Sequence, residues 1–436
     1  MIPRREALAF WFRLGCIGFG GPAGQIAILH DELVDRRRWI SEGRFAHALN
    51  YCMLLPGPEA QQLATYLGWL MHGTWGGVAA GLLFILPGMA LIVGLAWTYL
   101  IFADTGWMAA VLSGVKPAVV AIVAAAAWRI GSRALRTPLL AAIAAASLAC
   151  GLAGVPFPMV IAAAALLGYA AGRWWPAQVG AGAGHATAAS AGPPALIDDD
   201  TPLPAHATSR SGGLWRVTAV VFSVWVIALG ACIALSTGFA QMGLFFTQAA
   251  LLTFGGAYAV LPYVYDAAVE RFQWLGAGQM MDGLALGETT PGPLILVVTF
   301  VGFLGGWQQA MLGPGSEAAA ALVGAIVATF FTFLPSFLFI LAGAPFVEAT
   351  RRQPALAAPL AAITAAVVGV IADLGVNFAR HAFWPDGAAG NANAIAVAMA
   401  LVAWVALVRF RVSVPWIVLA AGLVGLALSA VVGWNR

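Results

Sequence analysis

The chain has 436 residues, of which 61% are hydrophobic and only 9% charged, and its formal net charge is +3. A soluble globular domain carries about 25% charged residues, so the composition excludes one and points to a polytopic membrane protein. There are 20 Arg and one Lys; the Arg residues fall mostly at the ends of apolar segments, as topology signals do, and form no nucleic-acid patch.

The first apolar segment, 7–29, breaks at Gly18-Phe19-Gly20-Gly21-Pro22. Arg13 interrupts its apolar start too early for a cleavable signal peptide. A polar loop follows, with Asp31, Asp35, Arg36, Arg37, Arg38 and Trp39. The second segment, 45–71, contains Leu55-Pro56-Gly57-Pro58-Glu59. Segments 74–103 and 106–127 are joined by a tight turn at Asp104-Thr105-Gly106, and Arg129, Arg133 and Arg136 come next. Two short spans, 138–153 and 156–171, complete an N-terminal repeat, 1–173. Residues 174–213 are rich in Ala, Gly, Pro and Ser and contain Asp198-Asp199-Asp200, the composition of a flexible linker. A connecting helix, 214–240, has no counterpart, and 241–436 repeats the first part.

The repeat is carried by fixed offsets. At 235 residues, Phe19-Gly20-Gly21 matches Phe254-Gly255-Gly256, Asp31 matches Asp266, Arg36 matches Arg271, Trp39 matches Trp274, and Pro56-Gly57-Pro58 matches Pro291-Gly292-Pro293. After an insertion the offset becomes 248, aligning Phe84-Ile85-Leu86-Pro87 with Thr332-Phe333-Leu334-Pro335. Pro and Gly inside apolar runs break helices. In lipid, broken backbone survives only where it is buried in protein or lines a cavity, and paired breaks in two halves are the sequence pointer to a transporter's binding site.

Positive charge marks the cytoplasmic side. Arg36, Arg37, Arg38 and Arg44, and again Arg129, Arg133 and Arg136, place their loops inside, whereas the Asp104 turn carries no positive charge and lies outside. Segments 7–29 and 45–71 then start and end inside, dipping into the membrane and returning. In the second copy the bias swaps, with Arg351 and Arg352 in the loop equivalent to Asp104. The expectation is an all-α polytopic membrane protein of two inverted-topology repeats with re-entrant or broken helices. It has nine crossings, a cytoplasmic N-terminus and linker, and an outside C-terminus.

Inverted halves bring their breaks face to face near the midplane, and helix starts present free N–H groups and positive dipole ends, so the expected ligand is an anion. Candidate binding residues are Gly20, Gly21, Pro22, Gln25, Pro56, Gly57, Pro58, Lys116, Gly255, Gly256, Thr289, Thr290, Pro291, Gly292 and Pro293. Lys116, the sole lysine, sits mid-span; an intramembrane charge signals function, either attracting the anion or pairing with a carboxylate such as Glu59. Glu59 and Glu288 flank the two Pro-Gly-Pro breaks and are candidates, with Arg13, for proton or charge coupling. Cys16, Cys52, Cys150 and Cys232 form no Cys-x-x-Cys pair and are expected as small core residues. His30, His47 and His72 lack metal-site spacing, and neither a P-loop nor a catalytic triad pattern occurs, so no metal, cofactor or enzymatic activity is expected.

With Phe19 to Pro22, Arg36 to Trp39, both Pro-Gly-Pro motifs, Phe84 to Pro87, Phe254 to Gly256 and Phe333 to Pro335 in place, the chain resembles the chromate ion transporter family in its long, two-domain form. The resemblance covers both halves. It implies chromate efflux across a bacterial inner membrane and chromate resistance, with sulfate, an isosteric dianion, as the related ligand. A sulfate or other oxyanion permease is the alternative within the transporter class; a membrane scaffold or embedded enzyme is the alternative outside it. A homodimer is the generic expectation for oligomeric state.

Overall fold

The computed structural model describes residues 2–179, 195–198, 201, 212–254, 256–349, 357–385 and 390–432. Gly255, Arg351, Arg352 and most of the linker, including Asp199 and Asp200, lie outside the described residues. Among the described residues every regular element is helical, apart from one isolated β-bridge. The first half contains α1 (Arg4–Ile17), α2 (Gly21–His30), α3 (Glu42–Leu54), α4 (Glu59–Phe102), α5 (Gly106–Ala134), α6 (Pro138–Leu152) and α7 (Phe157–Trp174). Helix α8 (Gly212–Leu235) stands between the halves. The second half contains α9 (Thr237–Leu251), α10 (Ala257–Tyr265), α11 (Ala277–Thr289), α12 (Val297–Gln308), α13 (Glu317–Ala349), α14 (Ala357–Phe383), α15 (Ala394–Val408) and α16 (Val414–Val432).

Seven of these helices are long and apolar enough to cross a membrane: α4, α5, α7, α8, α13, α14 and α16. The other two expected crossings correspond to α6 and α15, equivalent elements of 15 residues each. At 1.5 Å per residue each reaches about 22 Å, short of a hydrocarbon core of roughly 30 Å. Of the cysteines, Cys52 and Cys232 are buried, but Cys16 is exposed on α1 and Cys150 is only half-buried.

The breaks fall where Gly and Pro place them. Gly20 (φ +94) and Gly21 (φ +69) separate α1 from α2, and Gly256 (φ +98) precedes α10. Each short helix runs into a π-helical turn, Asp31–Arg36 and Asp266–Arg271, at the same 235-residue offset. Helix α1 climbs beside the second part of α4. Its start lies with His72 and Trp75, and Gly15 meets Leu83, Phe84 and Pro87. It stops there, level with the middle of α4. The chain then returns to its entry point, where Arg37 pairs with Glu6 at 3.4 Å and its guanidinium lies 5.0 Å over Phe10. Helix α4 is itself two arms, reversed at His72 and Gly73 (φ +69, ψ −159). Gly68 packs on Gly76 and Ala80, and Thr65 on Gly81, so the arms run antiparallel. In the second half α12 and α13 repeat this reversal, with Gly302 on Gly324 and Gly306 on Ala320.

Equivalent helices of the two halves run antiparallel to each other. Gly77 meets Leu341 and Gly81 meets Phe337 between α4 and α13, while Gly131 meets Val368 and Gly375 meets Val123 between α5 and α14. The halves also exchange partners reciprocally. Helices α6 and α7 pack on α14, and α15 and α16 on α5. At the centre the Gly57 N–H donates to the Thr253 carbonyl at 2.7 Å, and the Gly292 N–H donates to the Gly18 carbonyl at 2.9 Å. Gly57 lies against Ser336 and Gly88 against the Pro291 carbonyl; positions 88 and 336 are counterparts at the 248-residue offset. Small residues make these close backbone approaches possible. Together the exchanges relate the two halves by a pseudo-two-fold that interchanges the two Pro-Gly-Pro loops.

Part of the expected linker is fixed. Ile197 forms a β-bridge with Ile40, and the buried Arg44 donates to the carbonyls of Asp198 (2.8 Å) and Thr201 (2.7 Å). Thr137 donates to the carbonyl of Gln178.

Candidate anion-binding site

A cavity of about 450 Å³ lies between the halves, where both Gly-started helices converge. Gly20, Gly21 and Pro22 at the start of α2 face it, as do Gly256, Ala257 and Tyr258 at the start of α10. The first N–H groups of each helix have no carbonyl four residues earlier to accept them, and glycine leaves that backbone uncovered. Glu59 and Glu288 both line the cavity, together with Thr364, Arg129 and Arg133. Glu288 is buried and accepts a hydrogen bond from the Tyr258 hydroxyl. The charge of Arg129 reaches both Glu288 and Tyr258. Two helix N-termini and two guanidiniums bring positive potential to the cavity, and two carboxyl groups face it beside them. A larger recess of about 640 Å³ between α5 and α14 is lined by apolar side chains and Ser132, with no charge to offer an anion.

The Pro-Gly-Pro motifs sit beside this cavity as its frame. Their proline nitrogens carry no hydrogen, and the Gly57 and Gly292 N–H groups are committed to carbonyls of the opposite half. A direct anion contact through Pro56, Gly57, Pro58, Pro291, Gly292 or Pro293 therefore has no free donor. Gln25 is buried and its amide nitrogen donates to the carbonyls of Gly18 (3.0 Å) and Gly292, so it ties the halves together. Thr289 and Thr290 donate back into α11, to Leu286 at 2.9 Å and Gly287 at 3.0 Å. Arg13 is exposed on α1 and does not line the cavity. Gly255 lies outside the described residues.

Two sequence expectations are corrected. Lys116 does not pair with Glu59. It faces α11 instead, its Nζ 3.4 Å from where a Gly278 Cβ would stand, and its charge acts on Asp282. Glu59 lies toward the other end of α5, with Arg129 and Arg133. The second correction concerns those arginines. They were expected in a loop after residue 127, but α5 continues to Ala134. Alanine and arginine are strong helix formers, and the helix runs on through Gly131, so the apolar stretch ends before the helix does. The i, i+4 spacing of Arg129 and Arg133, which sets both on one helical face, is the signal that identifies them. Asp282 and Tyr258 carry no comparable pattern, and only the fold brings them forward.

Long apolar helices around a charged interior cavity, with broken helices meeting at its wall, define a multi-pass membrane protein of the transporter class. The chromate transporter family model matches residues 5–169 and 240–426, and the chain belongs to that family. It is 34% identical to the chromate transport protein of Pseudomonas aeruginosa over 96% of this chain and 91% of that one. It is 29% identical to the chromate transport protein of Cupriavidus metallidurans over 97% of this chain and 92% of that one. A match of 32% identity to the transporter YwrB of Bacillus subtilis covers 31% of this chain and 68% of that one. No solved structure matches the chain.

Proposed function

We propose that the protein is a secondary transporter that exports chromate across the bacterial inner membrane and so confers chromate resistance. The observation that carries this reading is the convergence of two Gly-started helix N-termini with Arg129, Arg133, Glu59 and Glu288 on one cavity. The names of the relatives and the resemblance supply chromate as the tetrahedral dianion. The antiparallel run of equivalent helices supports inverted halves, and the turning back of α1 at mid-depth supports re-entrant segments. The cavity then opens on the side of the arginine-bearing loops, the cytoplasm under the positive-inside rule.

Voltage favours this direction. One charge moved through 100 mV is worth about 2.3 kcal/mol. A dianion leaving a negative-inside cell gains roughly twice that, a gradient of about a thousandfold at 1.4 kcal/mol per decade. The carboxylates at the cavity allow proton coupling in addition.

Inside-out membrane vesicles given labelled chromate or sulfate test the assignment. Chromate accumulation against its gradient is expected. Accumulation of sulfate with no chromate movement would identify a sulfate permease on the same fold, and accumulation of neither would overturn the transport reading.

A further inference from the structure

Lys116 and Asp282 lie apart from the cavity. Thirteen residues separate Lys116 from Arg129 on α5, so the two positions are about 20 Å apart along the helix. Asp282 is 3% exposed, accepts a hydrogen bond from the Tyr99 hydroxyl at 3.1 Å, and has its other oxygen, Oδ1, without a partner. Lys116 comes at it from α5, one turn of α11 away over Gly278. Helix α11 thus carries Glu288 into the cavity at its C-terminal end and Asp282 into this cluster from its middle, about 9 Å earlier along the helix. A buried carboxylate oxygen with no donor is costly; Lys116 is the fixed cation packed on the next turn of α11, over Gly278, and makes no ion pair with Asp282 in this closed arrangement.

The pseudo-two-fold gives the cluster a meaning. Thr364 lines the cavity, and its counterpart at the 248-residue offset is Lys116. In a transporter of inverted repeats each half takes up the other's shape as access switches. Residues lining the cavity on one side are then replaced by their counterparts on the other. The counterparts of Arg129 and Arg133 are Asn377 and His381, neither of which is a fixed cation, so Lys116 is left as the fixed positive charge among the counterparts of Arg129, Arg133 and Thr364.

Granted that the cavity is the inward-facing site, we propose that Lys116 and Asp282 form a second, outer station for the same dianion. Asp282 neutralises Lys116 while the outer side is closed. When it opens, the anion displaces Asp282 from the ammonium, and the return of Asp282 expels the anion.

The sole lysine makes this directly readable. A membrane-impermeant acetylating reagent is added to right-side-out or inside-out vesicles, and acetylation of the peptide containing Lys116 is followed by mass spectrometry. Labelling is expected from the outer face in excess of the inner, slowed by external chromate, and about tenfold faster in Asp282→Asn, corresponding to ~1.4 kcal/mol. Tyr99→Phe, which removes a competing donor from Asp282, is expected to slow labelling. Labelling confined to the inner face, or a rate unaffected by either variant and by chromate, overturns the proposal. The readout needs no transport. Normal flux in Arg129→Gln with outer labelling intact would therefore sink the cavity assignment and leave the outer station standing.

Discussion

Arg129 places a fixed positive charge within reach of Glu288 and Tyr258 at the wall of the cavity. Charge-assisted hydrogen bonds contribute about 1.5–3 kcal/mol, so Arg129→Gln is expected to lower chromate flux by roughly tenfold or more while expression and membrane insertion persist. Glu288→Gln removes a site for a proton and keeps the side chain's shape; flux is expected to continue but to lose its response to an imposed pH gradient, measured in liposomes. Retention of that response would take Glu288 out of coupling. At this scale the sequence was partly legible. Glu59, Glu288 and the Gly-Gly pairs could be singled out because polar or flexible residues stand out in apolar runs. Lys116 stood out for the same reason, but its partner did not. Asp282 lies 166 residues away, and only the packing of α11 on α5 brings them together. Arg129 and Arg133 were visible as charges and assigned to topology alone, because helix continuation past an apolar stretch leaves no mark on hydropathy.

Among the elements, the Pro-Gly-Pro loops tie the halves together through the Gly57 and Gly292 N–H groups. Gly88 has no room for a side chain against the Pro291 carbonyl. Gly88→Leu is expected to overpack this junction, at a cost of about 1–3 kcal/mol or more, and to lower the melting temperature in detergent. Gln25→Leu leaves the Gly292 carbonyl without its side-chain donor, while the Gly18 carbonyl keeps the Gly292 N–H; at about 1–3 kcal/mol for a buried unsatisfied group, it is expected to destabilise in the same assay. An unchanged melting temperature in both variants would contradict the role of the loops as a frame. The breaks, the turn at Asp104 to Gly106 and the paired short helices were legible because Gly and Pro act locally. The reciprocal hydrogen bonds of Gly57 and Gly292 were not, since backbone donors look alike in any sequence. The π-helical turns after α2 and α10 also went unread, although their identical spacing from the Gly-Gly breaks was plain.

Over the whole molecule, the repeat offsets in the sequence reappear as geometry. Positions 235 and 248 residues apart make equivalent contacts across a pseudo-two-fold, and the long helices they belong to run antiparallel. Such an arrangement supports an anion path shared by the two halves, along which a negative-inside voltage favours outward movement of a dianion. Chromate flux in liposomes bearing the purified protein, with voltage and pH gradients imposed separately, tests this most directly. The account predicts that a potential negative on the cytoplasmic face drives chromate away from that face without ATP, and that Arg129→Gln suppresses the flux. Flux that ignores voltage, or that survives intact in Arg129→Gln, would contradict it.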